Sequence, residues 1–284
     1  SGWLPLNLKI SGAQGGHSGD DINKNRVNTV QQLARFLYPM LERGEVRLCG
    51  ITGGGKHNAI ARECAAEVLV KDASSVRELF SSFGETLRSE HHNSDPDVTC
   101  EILSAGSAAR LPMAPADALR IVGALFACPH GVVAMSEDIP GFVETSTNLA
   151  SVHMDQGTAE VVTSQRSSIV SECDMIAAKV RACFELAGAK VEHSAGYPGW
   201  KPNPDSGILK VCVESYERLF GEKPLVLAIH AGLECGLFLE KFPGLDMISF
   251  GPTLRGVHAP GERMELASLD KFVAHLEDVV KSFK

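Results

Sequence analysis

No run of apolar residues in this sequence approaches the roughly 18–20 needed to cross a bilayer, so a helical membrane span is excluded. No secretory leader is visible either, and a chain opening partway into a longer protein would show none. Basic stretches are also missing. Lys and Arg number 27 against 35 Asp and Glu, a formal net charge of −8, which with no Lys/Arg cluster argues against nucleic acid as a partner. The cysteines form no C-x-x-C pair and no dense framework. Eight are dispersed, at Cys49, Cys64, Cys100, Cys128, Cys173, Cys183, Cys212 and Cys235. Several lie in apolar helical patterns and read as buried free thiols in a reducing compartment, which favours a cytoplasmic protein. No residue-level internal repeat is present.

What is there is ordinary globular composition, 44% hydrophobic and 22% charged over 284 residues, enough for one large domain or two. Leu4–Ile10 alternates as a strand does. Apolar residues at helical spacing follow over Asn28–Leu41, then strands at Val46–Gly50 and Ala65–Val70. A helix capped by Ser74 or Ser75 and a strand over Asp97–Leu103 come next. This is a β-α-β-β-α-β order, a split βαβ or ferredoxin-like arrangement. A helix from Pro115 to Phe126 follows. Strands Val143–His153 and Thr158–Ser164 join through a hairpin signal, and a long helix runs from Ile169 to Leu186 before a short strand at Lys190–His193. The Pro/Gly-rich run from Gly196 to Pro204 predicts a domain boundary, with residues 1–195 (halves at about 1–108 and 109–195) before it and 196–284 after it. Beyond it the order is αβαβα. Helices are expected at Ile208–Phe220, Leu237–Phe242 and Leu269–Phe283, and buried strands at Leu225–Ile229 and Leu245–Phe250. The fold class is therefore α/β, an α+β domain followed by part of an α/β layer.

Three stretches rich in His and Gly stand out. His258 sits in a loop stiffened by Gly251, Pro252, Gly256, Pro260 and Gly261, a common way to present a metal ligand or general base, with a surface-loop histidine as the plain alternative. His230 falls in a turn between a strand and a helix start, where backbone N–H groups face a ligand. His17 lies among four glycines. Arg166, at a strand end, carries a fork suited to a carboxylate, or is simply an exposed charge. Asn58 follows a glycine-rich turn and also reads as a turn residue. Asp20 and Asp21 read most simply as stabilising the N-terminus of the helix that follows. The His91-His-Asn-Ser-Asp-Pro96 stretch reads as a solvated loop. His153-Met-Asp155 has the spacing of a metal pair but sits in a hairpin, and it is set aside.

Gly15-Gly-His-Ser-Gly-Asp-Asp-Ile22, Asn58-Ala-Ile60, Tyr197-Pro-Gly-Trp200, His230-Ala-Gly-Leu-Glu-Cys-Gly236 and Gly251-Pro-Thr253 with His258 together resemble the aminoacyl-histidine dipeptidases of the M20 metallopeptidase family. The motifs run in the family's order along the whole chain. The resemblance implies a two-zinc dipeptidase acting on Xaa-His substrates, with a lid and dimerisation domain over 1–195 and the last part of the catalytic domain over 196–284. It implies His258 as a zinc ligand, His17 as the lid residue that stabilises the oxyanion, and Asn58 and Arg166 as holders of the substrate's peptide or carboxylate. His230 and Glu234 then face the substrate, and Glu234 recognises an imidazole or amine, or only caps the following helix. The family's His-x-Asp, Glu-Glu and remaining Asp residues have no counterpart here. The expectation is accordingly a C-terminal piece lacking the first catalytic half, inactive by itself. Exposed apolar faces at Val211, Leu219 and Val279 are expected to produce a self-association contact, such as a homodimer, or a disordered segment. Two other readings stand beside this one: an M20 amidohydrolase of different specificity, and a non-catalytic dimerisation or binding module.

Overall fold

The computed structural model describes residues 2–103, 110–155, 157–194, 196, 198–200, 203–228, 234–255 and 262–283. The chain divides into two compact units, Ser1–Ala195 with Ile229–Ala231, and Gly196–Ala228 with Gly232–Lys284.

The first unit opens with β1 (Leu4–Ser11), β2 (Gly16–His17), α1 (Thr29–Glu42), β3 (Val46–Gly54), β4 (Ala59–Ile60), β5 (Cys64–Val70), α2 (Ala73–Glu90) and β6 (Thr99–Leu103). It continues with α3 (Pro115–Ala127), β7 (Gly131–Met135), β8 (Val143–Asp155), β9 (Thr158–Ser167) and α4 (Val170–Leu186). The four long strands of the first half lie in the order β6-β1-β5-β3, each antiparallel to its neighbour. β5 is thus inserted between β1 and β3, the split-βαβ order that the sequence predicts. β1 and β5 bury alternate residues, Leu6, Leu8 and Ile10 with Cys64, Ala66, Val68 and Val70. A period of two puts these side chains on one face. Against that face α1 presents Val30, Leu33, Ala34 and Leu37, and α2 presents Val76, Phe80 and Leu87, all in one hydrophobic core. Phe36 and Phe80 meet at 4.8 Å between ring centroids. Emptying a fully buried aromatic position such as Phe80 costs about 3–5 kcal/mol. The cap of α2 is Asp72 rather than Ser74 or Ser75. Its carboxylate accepts from the N–H groups of both serines, at 2.9 and 3.0 Å, satisfying two donors that either hydroxyl would satisfy singly.

β8 extends the sheet. It pairs with β9 along most of its length, and on its other side with β7 over Val143–Thr147 and with β3 over Ser151–His153. Between those two partners the backbone of Leu149 faces side chains instead. Its N–H donates to His130 Nδ1 at 3.3 Å and its C=O accepts from Asn28 Nδ2 at 2.7 Å. Strand β7 has no counterpart in the sequence expectation, and Lys190–His193 has no ladder partner among the described residues.

The second unit holds α5 (Gly207–Phe220), α6 (Glu234–Lys241), β10 (Leu254–Arg255), β11 (Arg263–Met264) and α7 (Leu266–Ser282). Ser206 caps α5 by accepting from Leu209 N at 3.1 Å, and Gly221, at φ 70°, ends it in the left-handed region. α5 and α7 pack through Cys212 and Val279. His275 Nε2 lies 2.8 Å from the Cys212 carbonyl oxygen, and its ring meets those of Tyr216 and Phe250. Val279 is therefore buried, against expectation, because α5 covers it, while Leu219 is exposed. The runs expected as strands, 225–228 and 245–250 among the described residues, form no ladder. An apolar run becomes a buried strand only where a neighbour pairs with it. Here Leu225 is 82% exposed, and Phe250 packs on α7 as extended chain at 5.6 Å from Phe272. The mixed α/β class holds without these two strands.

Candidate active site

β2 is only two residues long and pairs with β4, Gly16 opposite Ile60 and His17 opposite Ala59. A ladder so short is not stable alone, and it is fastened from several sides. Ser18 N donates to the Asn58 carbonyl at 2.9 Å. His17 N donates to Asp21 Oδ2 at 2.8 Å, Gln14 N donates to Asp95 Oδ1 at 2.5 Å, and Arg26 donates to the Gly15 carbonyl. Gly15 and Gly16 have φ of 62° and 137°. A Cβ on Gly16 would fall on the Arg26 guanidinium and the Asp21 carboxylate, so the tight approach requires glycine.

The helix expected over Asn28–Leu41 is present, but Asp20 and Asp21 do not stand at its N-terminus. Turns follow, and α1 begins at Thr29 with Asn28 as its cap, Oδ1 accepting from Gln31 N at 3.1 Å. Asp21 instead binds the His17 N–H and pairs with Lys24 at 2.6 Å and Arg26 at 3.4 Å. Burial acts to raise the Asp21 carboxyl, but Lys24, the His17 amide and Arg26 outweigh it and hold the group below its usual range. Asp21 is thus a tie of the His17 turn, ionised at neutral pH.

The imidazole of His17 is partly exposed, at 31%. Its Nδ1 accepts from the backbone N–H of Gly19 and of Asp20, each at 3.3 Å. A neutral imidazole has one acceptor and one donor nitrogen, so acceptance at Nδ1 puts the proton on Nε2. Arg166 borders the same turn. A Cβ built on Gly19 would lie 3.1 Å from His17 Cε1 and Nδ1 and 3.7 Å from Arg166 Nη1. Arg166 sits on β9 opposite Ser146, and its buried Nε has no hydrogen-bond partner among the described residues. Partial burial pulls its pKa down, opposed by the nearby charge of Asp20, and an arginine stays protonated throughout. The result is an imidazole N–H donor beside a partly desolvated guanidinium, an arrangement suited to an anionic or polarised carbonyl group.

The structure thus brings His17, Asn58 and Arg166 together in the first unit. Glu234 lies in the second, exposed, as the first residue of α6. Gly236 two residues later is buried, and a Cβ there would strike the carbonyl of Pro198. His230 and His258 lie outside the described residues. The antiparallel pair β10–β11, Leu254 opposite Met264, brackets the segment that carries His258. Among the described residues no group of three or more His, Cys, Asp or Glu could hold a metal ion. Zinc therefore finds no ligand set there.

Three residues around the site carry no sequence signal of their own. Asp95, expected in a solvated loop, is fully buried, its carboxylate accepting from Gln14 N and, at 2.6 Å, from Val27 N. Asn148 is 1% exposed and donates through Nδ2 to the carbonyls of Ala59 at 2.9 Å and His57 at 3.4 Å. His130 fills the gap beside Leu149. Each acts on a partner more than 15 residues away, which local pattern cannot show. The nearest available hint was the polarity of Asn148 inside an otherwise strand-like run.

Comparison with known proteins matches residues 28–282 to Peptidase family M20/M25/M40. The chain is 34% identical over 285 residues to the cytosol non-specific dipeptidase of Escherichia coli (strain K12), covering 99% of this chain and 58% of that protein. Its structure superposes on the crystal structure of aminoacylhistidine dipeptidase from Vibrio alginolyticus with a TM-score of 0.89 and 35% identity, over 100% of this chain and 58% of that one. The chain therefore spans little more than half the length of these relatives.

Proposed function

The chain belongs to peptidase family M20/M25/M40, and from that premise we propose that a protein of its relatives' length carrying this chain is a cytoplasmic dipeptidase. The observation that carries the reading is the setting of the His17 imidazole, whose Nδ1 accepts two backbone N–H groups. Its Nε2–H is then the donor that meets the carbonyl oxygen of a peptide bond as negative charge grows on it. Arg166 takes the C-terminal carboxylate of the dipeptide through two N–H groups, and Asn58 holds the substrate's peptide. Placing both ends of a small substrate sets the scissile carbonyl relative to His17. M20 peptidases are generally metal-dependent. The described residues of this chain take the binding and charge-stabilising part of the reaction and supply no metal ligand set. We propose zinc as the metal and His258 as this chain's ligand to it, and we propose that the chain by itself does not turn over dipeptides.

Substrate choice within this reading is histidine at the second position, with His230 and Glu234 on the side-chain pocket. The names of the two relatives point to a histidine-selective and to a broad enzyme respectively, so a dipeptide panel decides. The units 1–195 and 196–284 are proposed as lid, also carrying a homodimer contact, and as catalytic part. Eight free thiols and a relative named for the cytosol support the compartment. The test is hydrolysis of Xaa-His, Xaa-Leu and N-acyl amino acids by the protein of the relatives' length and its variants. Arg166→Ala should raise KM for dipeptides about ten- to a hundredfold, and His17→Ala should lower kcat about a hundredfold. Hydrolysis of N-acyl amino acids alone, or metal-dependent dipeptide turnover untouched by both changes, overturns the proposal.

A further inference from the structure

The β2–β4 ladder that carries His17 has two rungs, yet the role proposed for His17 needs placement to a fraction of an ångström. Among the described residues, the hydrogen bonds that attach it to the long strand β8 come from one side chain. Asn148 Nδ2 donates to Ala59 O and to His57 O, the carbonyls on either side of Asn58. Ala59 is in turn the residue opposite His17, and the Asn58 carbonyl accepts from Ser18 N. The Asn148 amide thus stands where a strand would, with β4 and then β2 stacked upon it.

The other half of that amide is idle. Asn148 Oδ1 has no hydrogen-bond partner among the described residues, and neither has Ser164 Oγ directly across the β8–β9 ladder. A buried acceptor without a donor is unfavourable for the fold. An apolar residue of similar size would avoid that cost and would lose only the two bonds to β4. Where a side chain is poor for packing and engaged only through its donor, what its donor holds is the reason for its presence.

We propose that Asn148 is a positioning residue, which fixes the peptide 57–59 and through it the imidazole of His17. The inference rests on the dipeptidase reading for its catalytic consequence, and on geometry alone for the coupling of Asn148 to His17. Asn148→Asp keeps the size but offers carboxylate oxygens to two carbonyls, so β4 is released.

Two measurements test it. In protein labelled with 15N-histidine, the wild-type His17 ring should show one protonated and one acceptor nitrogen with fixed shifts. In Asn148→Asp these should move toward the averaged values of a mobile imidazole, while His275 keeps its own. In the dipeptide assay Asn148→Asp should lower kcat about ten- to a hundredfold with KM changed less than threefold. In a His17→Ala background the same substitution should have little further effect, because Asn148 acts through His17. Should Asn148→Asp fail to fold, Asn148→Ser, which keeps a single donor, should give an intermediate loss and an intermediate shift. Unchanged His17 shifts in the folded variant, or an equal loss with and without His17, overturns the inference. Absence of dipeptide hydrolysis in a wild-type protein of the relatives' length would overturn the functional reading instead, leaving the spectroscopic result to decide the role of Asn148.

Discussion

His130 should make the stability of the first unit fall as pH drops below neutrality. Its Nδ1 accepts from Leu149 N and lies 3.3 Å from Asn28 Nδ2. Both contacts require an unprotonated Nδ1. Burial lowers its pKa from 6.5 to about 4. The residue as a whole is half-buried, and the nitrogen that matters lies against the two donors. The folded pKa lies below the unfolded one, so the unfolded chain binds the proton first. The contribution is fully present above about pH 6.5 and is lost as pH falls toward 4. A shift of about 2.5 units at about 1.36 kcal/mol per unit gives roughly 3 kcal/mol, and the partial exposure of the residue reduces this to about 2. The measurement is urea unfolding of wild type and His130→Gln at several pH values from 7.5 to 4.5. The glutamine amide oxygen accepts from the same donors without titrating. Because other groups titrate alike in both proteins, the difference between their unfolding free energies isolates His130. Wild type should lose about 2 kcal/mol relative to the variant across that range. A difference independent of pH, or an NMR titration of His130 centred near 6.5, would refute the reasoning.

Other outcomes follow from the same geometry. Asp95→Asn replaces one of two accepting oxygens by a donor facing a backbone N–H, and should cost about 1–3 kcal/mol in urea unfolding, with Gln14 and Val27 amides exchanging faster. Gly16→Ala combines a φ of 137° with an occupied Cβ position, and should lower the melting temperature by an amount equivalent to about 1–3 kcal/mol while disturbing His17 more than the main sheet. Cys100 and Cys128, whose thiols burial pushes up to about 12, and Cys64, raised further by complete burial, should resist a thiol reagent at pH 8 until denaturant is added. Modification of Cys64 in the native protein at the rate of a free thiol would contradict its placement on β5.

The sheet was legible wherever one strand alternates cleanly. Leu6, Leu8 and Ile10 on β1 and Ala66, Val68 and Val70 on β5 announce both the strand and its buried face. The helical spacing of Val30, Leu33 and Leu37 does the same for α1. Legibility failed where structure depends on a distant partner. β7 is short and half-exposed, and becomes a strand because β8 lies beside it. Leu225–Ala228 reads as a strand by composition and has nothing among the described residues to pair with. Asp21 and Asp95 look like a helix start and a solvated loop until the His17 turn is folded against them. At the candidate site, the types and order of His17, Asn58 and Arg166 were visible in the sequence, whereas the side chains that hold them, Asp21, Asp95 and Asn148, are defined by contacts across up to 91 positions.

The side-chain bridge at Leu149 has a dynamic consequence. Where β8 pairs with β3, β7 or β9 its amide protons face other backbone, and opening them means separating strands. At Leu149 the lock is an imidazole nitrogen, whose lone pair is withdrawn the moment it takes a proton. Amide exchange at that one residue is therefore gated by a titration as well as by strand separation, and its isotope uptake in mild acid would report the protonation of a buried ring through the backbone of the strand it supports.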